Sequence, residues 1–362
     1  MNKCISIFPE TNIDDFKIKW QQYIELANKY GFTEVFSTIH LPELSLEKQI
    51  ESLLVISKLT KQYQMDLIVD IGGFYLKKLL DSQELLEQIK NAEIAFVRLD
   101  YGYNQSDVVK LHKELDLKGF MINASMYSEK EVDEKVEFFK SLDNVEIKAC
   151  HNFYPREESG LDKKFALKQD AMFRKHNIPV YYFIPSLKKP RGPVFKGLPT
   201  IEKHRYSDVT LTTLELLYIY KTDSFMFSDQ FYSEDNFKQF DDVINHRPLE
   251  IKVDLLSDKY DDIVLKIHEF RYDSNKEFLR SQSSRQMSQY ASVVKIDNNV
   301  KRLKGSITID NKLYGRYSGE LQVVLKNSKK DKRVNVVGKV DKKDLEKLLY
   351  YNYGYTYKFV KK

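Results

Sequence analysis

Two segments concentrate reactive side chains: His151-Asn152-Phe153-Tyr154-Pro155-Arg156, and the longer run from Arg191-Gly192-Pro193 through Gly197 to Glu202-Lys203-His204-Arg205. Each follows a short apolar run, Val145 to Cys150 and Val180 to Ile184. A carboxylate, imidazoles, guanidinium groups and prolines of fixed φ are what a polar, anionic ligand needs around it. Arg191 beside Gly192 lets a phosphate or carboxylate approach a fork of donors and nearby backbone amides. Lys188 and Lys189 read instead as solvated lysines.

Further polar groups fall at the ends of other apolar runs: Glu10, Asp70, Asp100 and Asp229, then Asn123 and Ser125. Several carboxylates at one mouth fit two chemistries. Glycoside cleavage uses a pair of carboxyl groups, about 5–5.5 Å apart in retaining enzymes and wider in inverting ones. Divalent-metal chemistry gathers His and carboxylates on one ion. The histidines His40, His151 and His204 show no His-x-His or Glu-x-x-His spacing, so no metal and no cofactor is assigned. Plainer roles stand beside these. Asp70 and Asp100 can cap the helices that follow. Arg98 points the same way as Asp100 and can pair with it. Glu202 can bridge to Arg205, and His151 can be a satisfied buried histidine.

The elements that must position these groups are legible in the apolar pattern. Runs at Cys4–Phe8, Glu34–Ile39, Leu67–Ile71, Ile94–Leu99, Gly119–Ala124, Val145–Cys150, Val180–Ile184 and Phe225–Ser228 recur at intervals of roughly 25 to 45 residues, the length of a strand, a helix and two loops. Helical spacing fills the gaps. Ile13, Phe16, Trp20, Ile24 and Ala27 share one face, and Leu76 to Ile89 form another with a polar break at Asp81-Ser82. Strict alternation predicts a parallel (β/α)8 barrel, an α/β fold in which strand-end residues face one mouth. No GxGxxG or phosphate-binding loop follows the first strand, which disfavours an open nucleotide-binding sheet. Near residue 240 the rhythm changes. Asn245-His246-Arg247-Pro248 reads as a linker, and short alternating runs after it predict a small antiparallel β-barrel. The expected domains are 1–240, catalytic, and 248–362.

The chain has 362 residues, 42% hydrophobic and 31% charged, which fits a folded globular protein and excludes a disordered one. A net charge of +5 is spread among 53 acids, so no nucleic-acid partner is expected. No apolar run approaches the roughly 18 residues of a membrane span, so no membrane partner is expected either. The two cysteines, Cys4 and Cys150, fall in separate predicted strands, and with no signal-peptide pattern ahead of them they point to a reducing, cytoplasmic setting. Nothing in the sequence sets an oligomeric state.

The motifs resemble a bacterial family once described as an outer surface protein and now linked to 6-phospho-N-acetylmuramidase. The resemblance is carried by Ile5-Ser6-Ile7-Phe8-Pro9-Glu10, Arg98-Leu99-Asp100-Tyr101-Gly102, Asn123-Ala124-Ser125, Ala149 through Arg156 with Ser159-Gly160-Leu161, Arg191-Gly192-Pro193, and Gly197 through Arg205. It extends into the tail through Ile307 to Asn311 and Tyr314 to Gln322. It implies a TIM barrel followed by a cyclophilin-like β domain, and cleavage of N-acetylmuramic acid 6-phosphate–N-acetylglucosamine in cell-wall recycling.

Such a phosphorylated amino-sugar disaccharide carries a phosphate and a lactyl carboxylate, for which Arg191, Arg156 and Arg205 are the expected partners. Asn123 or Asn152 would orient its N-acetyl group. The substrate-binding candidates are completed by His151, Gly192, His204 and, from the tail, Arg316. Asp100 and Glu202 are the preferred acid pair, with Asp70 and Glu10 as alternates. Two rival readings stay open. One is a metal-dependent sugar-phosphate isomerase, or an aldolase for which Lys148 would be the Schiff-base lysine. The other is a carbohydrate-binding protein without catalysis.

Overall fold

The computed structural model describes residues 1–287 and 294–362. The chain divides into two compact units, Met1–Gln239 and Phe240–Lys362.

In the first unit, strands β1 (Asn2–Ser6), β2 (Glu34–Thr38), β3 (Asp66–Ile71), β4 (Phe96–Leu99), β5 (Gly119–Asn123), β6 (Glu146–Cys150), β7 (Val180–Ile184) and β8 (Ser224–Phe227) pair in sequence order and close into a parallel barrel. Closure runs through β1 and β8, with Cys4 beside Met226 and Ile5 beside Phe227. The TIM barrel is therefore the fold, as the alternating pattern predicts. Strands β2, β5 and β7 are buried along their whole length. The near-continuous apolar runs of β5 and β7 follow from that, because helices cover one face and the barrel interior the other.

The helices carry their own boundaries. Helix α1 (Ile13–Lys29) buries Ile13, Trp20, Ile24 and Ala27 at helical spacing. Next come α2 (Leu46–Gln62), α3 (Gly73–Leu80) and α4 (Gln83–Lys90). The polar break at Asp81-Ser82 separates α3 from α4, and the Ser82 hydroxyl accepts from the Leu85 amide at 3.3 Å to start the new helix. Helix α5 (Gln105–Glu114) opens on a capping box in which Asn104 and Asp107 satisfy each other's backbone amides at 2.9 and 3.2 Å. Helices α6 (Glu129–Lys140), α7 (Lys163–Arg174) and α8 (Val209–Tyr218) follow, and α9 (Glu234–Ile244) carries the chain across the boundary at Gln239.

The barrel interior is packed by Cys4, Phe36, Ile68, Phe96, Met121, Cys150, Tyr181, Phe183 and Met226. Both cysteines are free and buried in this one cluster. Below it lies a buried ion pair, Lys148 Nζ to Glu34 Oε1 at 2.7 Å, with the Tyr181 hydroxyl donating to the same carboxylate and Phe96 under the ammonium at 3.6 Å. Glu34 opens β2, so Lys148 is tied to the end of the barrel opposite the mouth. It is a partner in a structural pair, not a lysine presented to substrate.

The second unit is a seven-stranded mixed sheet, counted among the described residues: β9 (Leu249–Leu255), β10 (Ile267–Glu269), β11 (Phe278–Arg280), β12 (Ser306–Asp310), β13 (Leu321–Val324), β14 (Val334–Val340) and β15 (Thr356–Lys361). The sheet order is β10-β15-β9-β14-β12-β13-β11. Pairing is antiparallel except between β15 and β9, which run parallel from Tyr357 beside Leu249 to Lys361 beside Val253. Burial alternates along β9, the pattern of a sheet with one covered face. The run Ile263–Phe270 is not one strand. Asp261–Val264 forms a turn of helix, Ile267–Glu269 pairs as β10 and Phe270 adds an isolated bridge to Ser281, consistent with Asp261 and Asp262 favouring a helix start. Among the described residues no helix is long and apolar enough to cross a membrane.

Candidate active site

The mouth is built from strand ends, and register decides who meets whom. Asp70 lies directly beside Arg98 across β3 and β4. Arg98 Nη1 donates to Asp70 Oδ1 at 2.6 Å and reaches Asp100 Oδ1 at 3.5 Å, while Nη2 donates to Asn152 Oδ1 at 2.6 Å. Asn123 Nδ2 donates to Asp100 Oδ1 at 2.7 Å and to Asn152 Oδ1 at 2.9 Å. Burial works against the Arg98 charge, but Asp70 and Asp100 outweigh it and hold the guanidinium protonated. The plain expectation of an internal ion pair is thus met, and met together with the expected gathering of Asp70, Asp100, Asn123 and Asn152.

The two acids of this cluster differ in access. The Asp70 side chain is 5% exposed, with its second oxygen 3.4 Å from His40 Nδ1. The Asp100 side chain is 17% exposed, and its Oδ2 has no hydrogen-bond partner among the described residues. Asp100 is the carboxylate that a ligand can reach. Its turn is fixed from beneath. Gly73 N donates to Tyr101 O at 2.8 Å, and a Cβ on Gly73 would stand 2.1 Å from the Gly102 carbonyl oxygen. Only glycine allows that approach. Tyr103, Tyr127 and Tyr154 surround the cluster, and burial pushes each phenol up, so they remain protonated. Nothing but their loop positions marked these tyrosines in the sequence.

His151 does not face substrate, which corrects its place among the binding candidates. It is fully buried. Its Nδ1 lies 3.0 Å from Ser125 Oγ and its Nε2 3.0 Å from Asp170 Oδ1. Asp170, on α7, also accepts from the Tyr182 hydroxyl at 2.8 Å and from Arg174 at 3.0 Å. Sequence spacing offers no signal for Asp170, which lies on a helix and not at a strand end.

The structure also separates Glu202 from Asp100 in role. Both Glu202 oxygens are taken: Arg205 donates to them at 2.7 and 2.6 Å, and the amides of Glu158 and Gly160 donate at 3.0 and 2.8 Å. The Arg205 bonds lead in holding this carboxyl down at about 2, the opposite of what a proton donor needs. Gly160 is required here, since a Cβ would meet Glu202 N and Oε2 at 2.7 Å.

Arg205 is buried and spends its remaining donors on the carbonyls of Tyr154, Arg156, Lys196 and Gly197, so it grips two loops instead of a ligand. His204 is buried against Glu215 at 3.0 Å, and burial pushes its imidazole down. Glu202 and Arg205 therefore form a clamp between the loops after β6 and β7, while His204 ties the second loop to α8. The residue types that suggested chemistry are the same ones that cross-link a loop.

Glu10 and Arg191 lie around Phe8. Gln230 Oε1 accepts from Phe8 N at 3.2 Å and from Trp20 Nε1 at 3.3 Å, which turns its Nε2 toward Glu10 Oε1 at 3.1 Å. Burial raises the Glu10 carboxyl above its ordinary value, with Gln230 and Arg191 opposing. The Arg191 guanidinium lies 4.1 Å from the Phe8 ring centroid, and its one ion pair among the described residues is a loose 3.8 Å contact with Glu43. Its backbone amide donates to Asp229 Oδ1 at 2.7 Å, and Ser186 N donates to Oδ2 at 2.7 Å, so Asp229 holds the loop that carries Arg191 and Gly192. Burial pushes the Arg191 guanidinium down, the mark of a charge short of compensation. Arg156 is exposed, and its guanidinium has no ion pair among the described residues. Arg316 belongs to the second unit, where it lies 5.1 Å from the Tyr317 ring centroid. Among the described residues, no group of three or more His, Cys, Asp or Glu side chains is placed to hold a metal ion.

A closed parallel barrel with acids, amides and guanidinium groups at its strand ends is a TIM-barrel protein whose polar groups gather in the strand-to-helix loops. Residues 3–242 match the model of the 6-phospho-N-acetylmuramidase N-terminal domain, and residues 248–360 that of its C-terminal domain. The chain belongs to the 6-phospho-N-acetylmuramidase family. Among solved structures, it is similar to a conserved protein of unknown function from Enterococcus faecalis, at 27% identity and a TM-score of 0.80 over 100% of this chain and 97% of that one. It also resembles an uncharacterized protein from B. cereus, at 23% identity and a TM-score of 0.71 over 99% and 100% of the two chains. No curated protein matches it significantly.

Proposed function

We propose that the chain is a glycosidase that cleaves N-acetylmuramic acid 6-phosphate–N-acetylglucosamine, acting in the cytoplasm on products of cell-wall turnover. The observation that carries this reading is Asp100. It is a reachable carboxylate at the mouth of a barrel in this family, with one oxygen bound by Asn123 and Arg98 and the other unpartnered among the described residues. Asp100 then serves as the anionic member of the pair that glycoside cleavage requires.

The proton donor in this reading is Glu10, the acid whose burial raises its carboxyl. Glu202 gives up that role for the reasons of geometry above. Asp70 becomes the countercharge that keeps Arg98 in place. Arg191, under-compensated and stacked on Phe8, supports recognition of the 6-phosphate or the lactyl carboxylate, with Arg156 as a second exposed cation. Asn152 remains the amide best placed to meet the N-acetyl group.

The test is turnover of the disaccharide with and without its 6-phosphate. The wild-type protein should release N-acetylglucosamine from the phosphorylated form and strongly disfavour the other, because a cation left unpaired in a partly buried site is costly. Arg191→Ala should narrow the preference. Equal kcat/KM for both substrates in the wild type would reject the phosphate site, and no turnover of either would reject the glycosidase reading.

A further inference from the structure

The amide groups of Asn123 and Asn152 each have two possible orientations, and only one serves Asp100. Ser125 N donates to Asn123 Oδ1 at 2.9 Å. With that oxygen engaged, Asn123 Nδ2 must face Asp100 and Asn152, which it does at 2.7 and 2.9 Å. A flipped Asn123 would set its NH2 against the Ser125 N–H and its oxygen against a carboxylate. Asn152 Oδ1 accepts from both Arg98 and Asn123, so its own orientation is fixed by the same logic.

Ser125 is in turn held from behind. Its hydroxyl accepts from Asn152 N at 2.9 Å and lies 3.0 Å from His151 Nδ1. Asp170 is fully buried and accepts from Arg174 and the Tyr182 hydroxyl, and its third contact is completed by a further donor, the Nε2–H of His151. In the neutral ring Nδ1 is then an acceptor, and the Ser125 hydroxyl donates to it. That leaves the serine lone pairs for Asn152 N. Every proton from Asp170 to Asp100 has one consistent place.

We propose that Asp170, His151 and Ser125 form a positioning relay that fixes the backbone of Ser125 and Asn152, and through the Ser125 backbone amide holds Asn123 in the orientation presenting a hydrogen-bond donor to Asp100. No covalent step is assigned to Ser125, because both its donor and its acceptor capacity are committed. The consequence for function rests on the reading of Asp100 as a catalytic carboxylate. The locking itself does not.

The test uses the full-length protein with Ser125→Ala, Ser125→Thr and His151→Gln, the last keeping a donor for Asp170 while removing the acceptor for Ser125. Backbone amide exchange at Asn152, followed by NMR on asparagine-labelled protein, should quicken about tenfold in Ser125→Ala, as the loss of the one hydrogen bond from Asn152 N to the Ser125 hydroxyl implies. On the phosphorylated disaccharide, kcat should fall about 10²-fold in Ser125→Ala and His151→Gln, as expected for a misplaced catalytic group. KM should stay unchanged, and Ser125→Thr, which keeps the hydroxyl, should recover most of the loss. A general loss of folding would move kcat, KM and circular dichroism together and would not be restored by threonine. Unchanged exchange at the Asn152 backbone amide in Ser125→Ala overturns the relay, as does wild-type kcat in that variant. Should the wild type not cleave the disaccharide at all, the glycosidase reading falls while the exchange measurement still decides the relay.

Discussion

Asp70 and Arg98 face each other across adjacent barrel strands, 2.6 Å apart and both almost wholly buried, so neither charge can be removed without stranding the other. Breaking a buried pair from one side costs about 3–5 kcal/mol, mostly from the charge left behind. Asp70→Asn should therefore lower unfolding stability by about that amount, as read by urea denaturation at neutral pH. A loss well below 1 kcal/mol would show that Asp100 alone compensates Arg98.

Glu202 makes an opposite prediction to that of a catalytic acid. Its folded-state carboxyl is held at about 2, below the ordinary glutamate value, so its bonds to Arg205 and two amides stabilise the ionised form. That contribution is fully present above about pH 4.3 and is lost as pH falls toward the folded value. Glu202→Gln should lower the melting temperature at pH 7 and shrink the stability difference from wild type at pH 2–3, where wild-type Glu202 is itself protonating. Its chemical step should survive, with kcat reduced less than the roughly 10²-fold typical of a lost acid or base. A far larger kcat loss with unchanged melting would restore Glu202 to catalysis.

The barrel was legible because its signal is redundant. Eight buried runs at strand-plus-helix spacing admit few other folds, and even the α3–α4 break was visible at Asp81-Ser82. The site was legible in membership more than in roles. Strand ends such as Asp70, Arg98 and Asn123 follow from period and register, so their meeting was foreseeable. The engagement of Glu202 and Arg205 with each other and with loop carbonyls was not legible, because a loop clamp and a catalytic mouth use the same residue types, and the carbonyls from Tyr154 to Gly197 that Arg205 meets leave no side-chain pattern. Asp170 and Gln230 were invisible for a related reason: each orients a site residue from an element distant in sequence. In the second unit, β11 is three residues long, too short to show a period.

The assignment of Asp100 and Glu10 has a pH signature that distinguishes their roles. Burial favours the protonated form of Glu10, so its folded value lies above that of an ordinary glutamate. A general acid must carry its proton, so activity should decline as pH rises through that value, giving the alkaline limb of the kcat/KM profile. Glu10→Gln should cut kcat about 10²–10⁴-fold and flatten the alkaline limb. Asp100→Asn should cut it by a similar factor and leave that limb in place. Substrates with a better leaving group should recover much of the Glu10→Gln loss, since they need less proton donation, and none of the Asp100→Asn loss. If Glu10→Gln keeps the wild-type alkaline limb and shows no such recovery, another group delivers the proton.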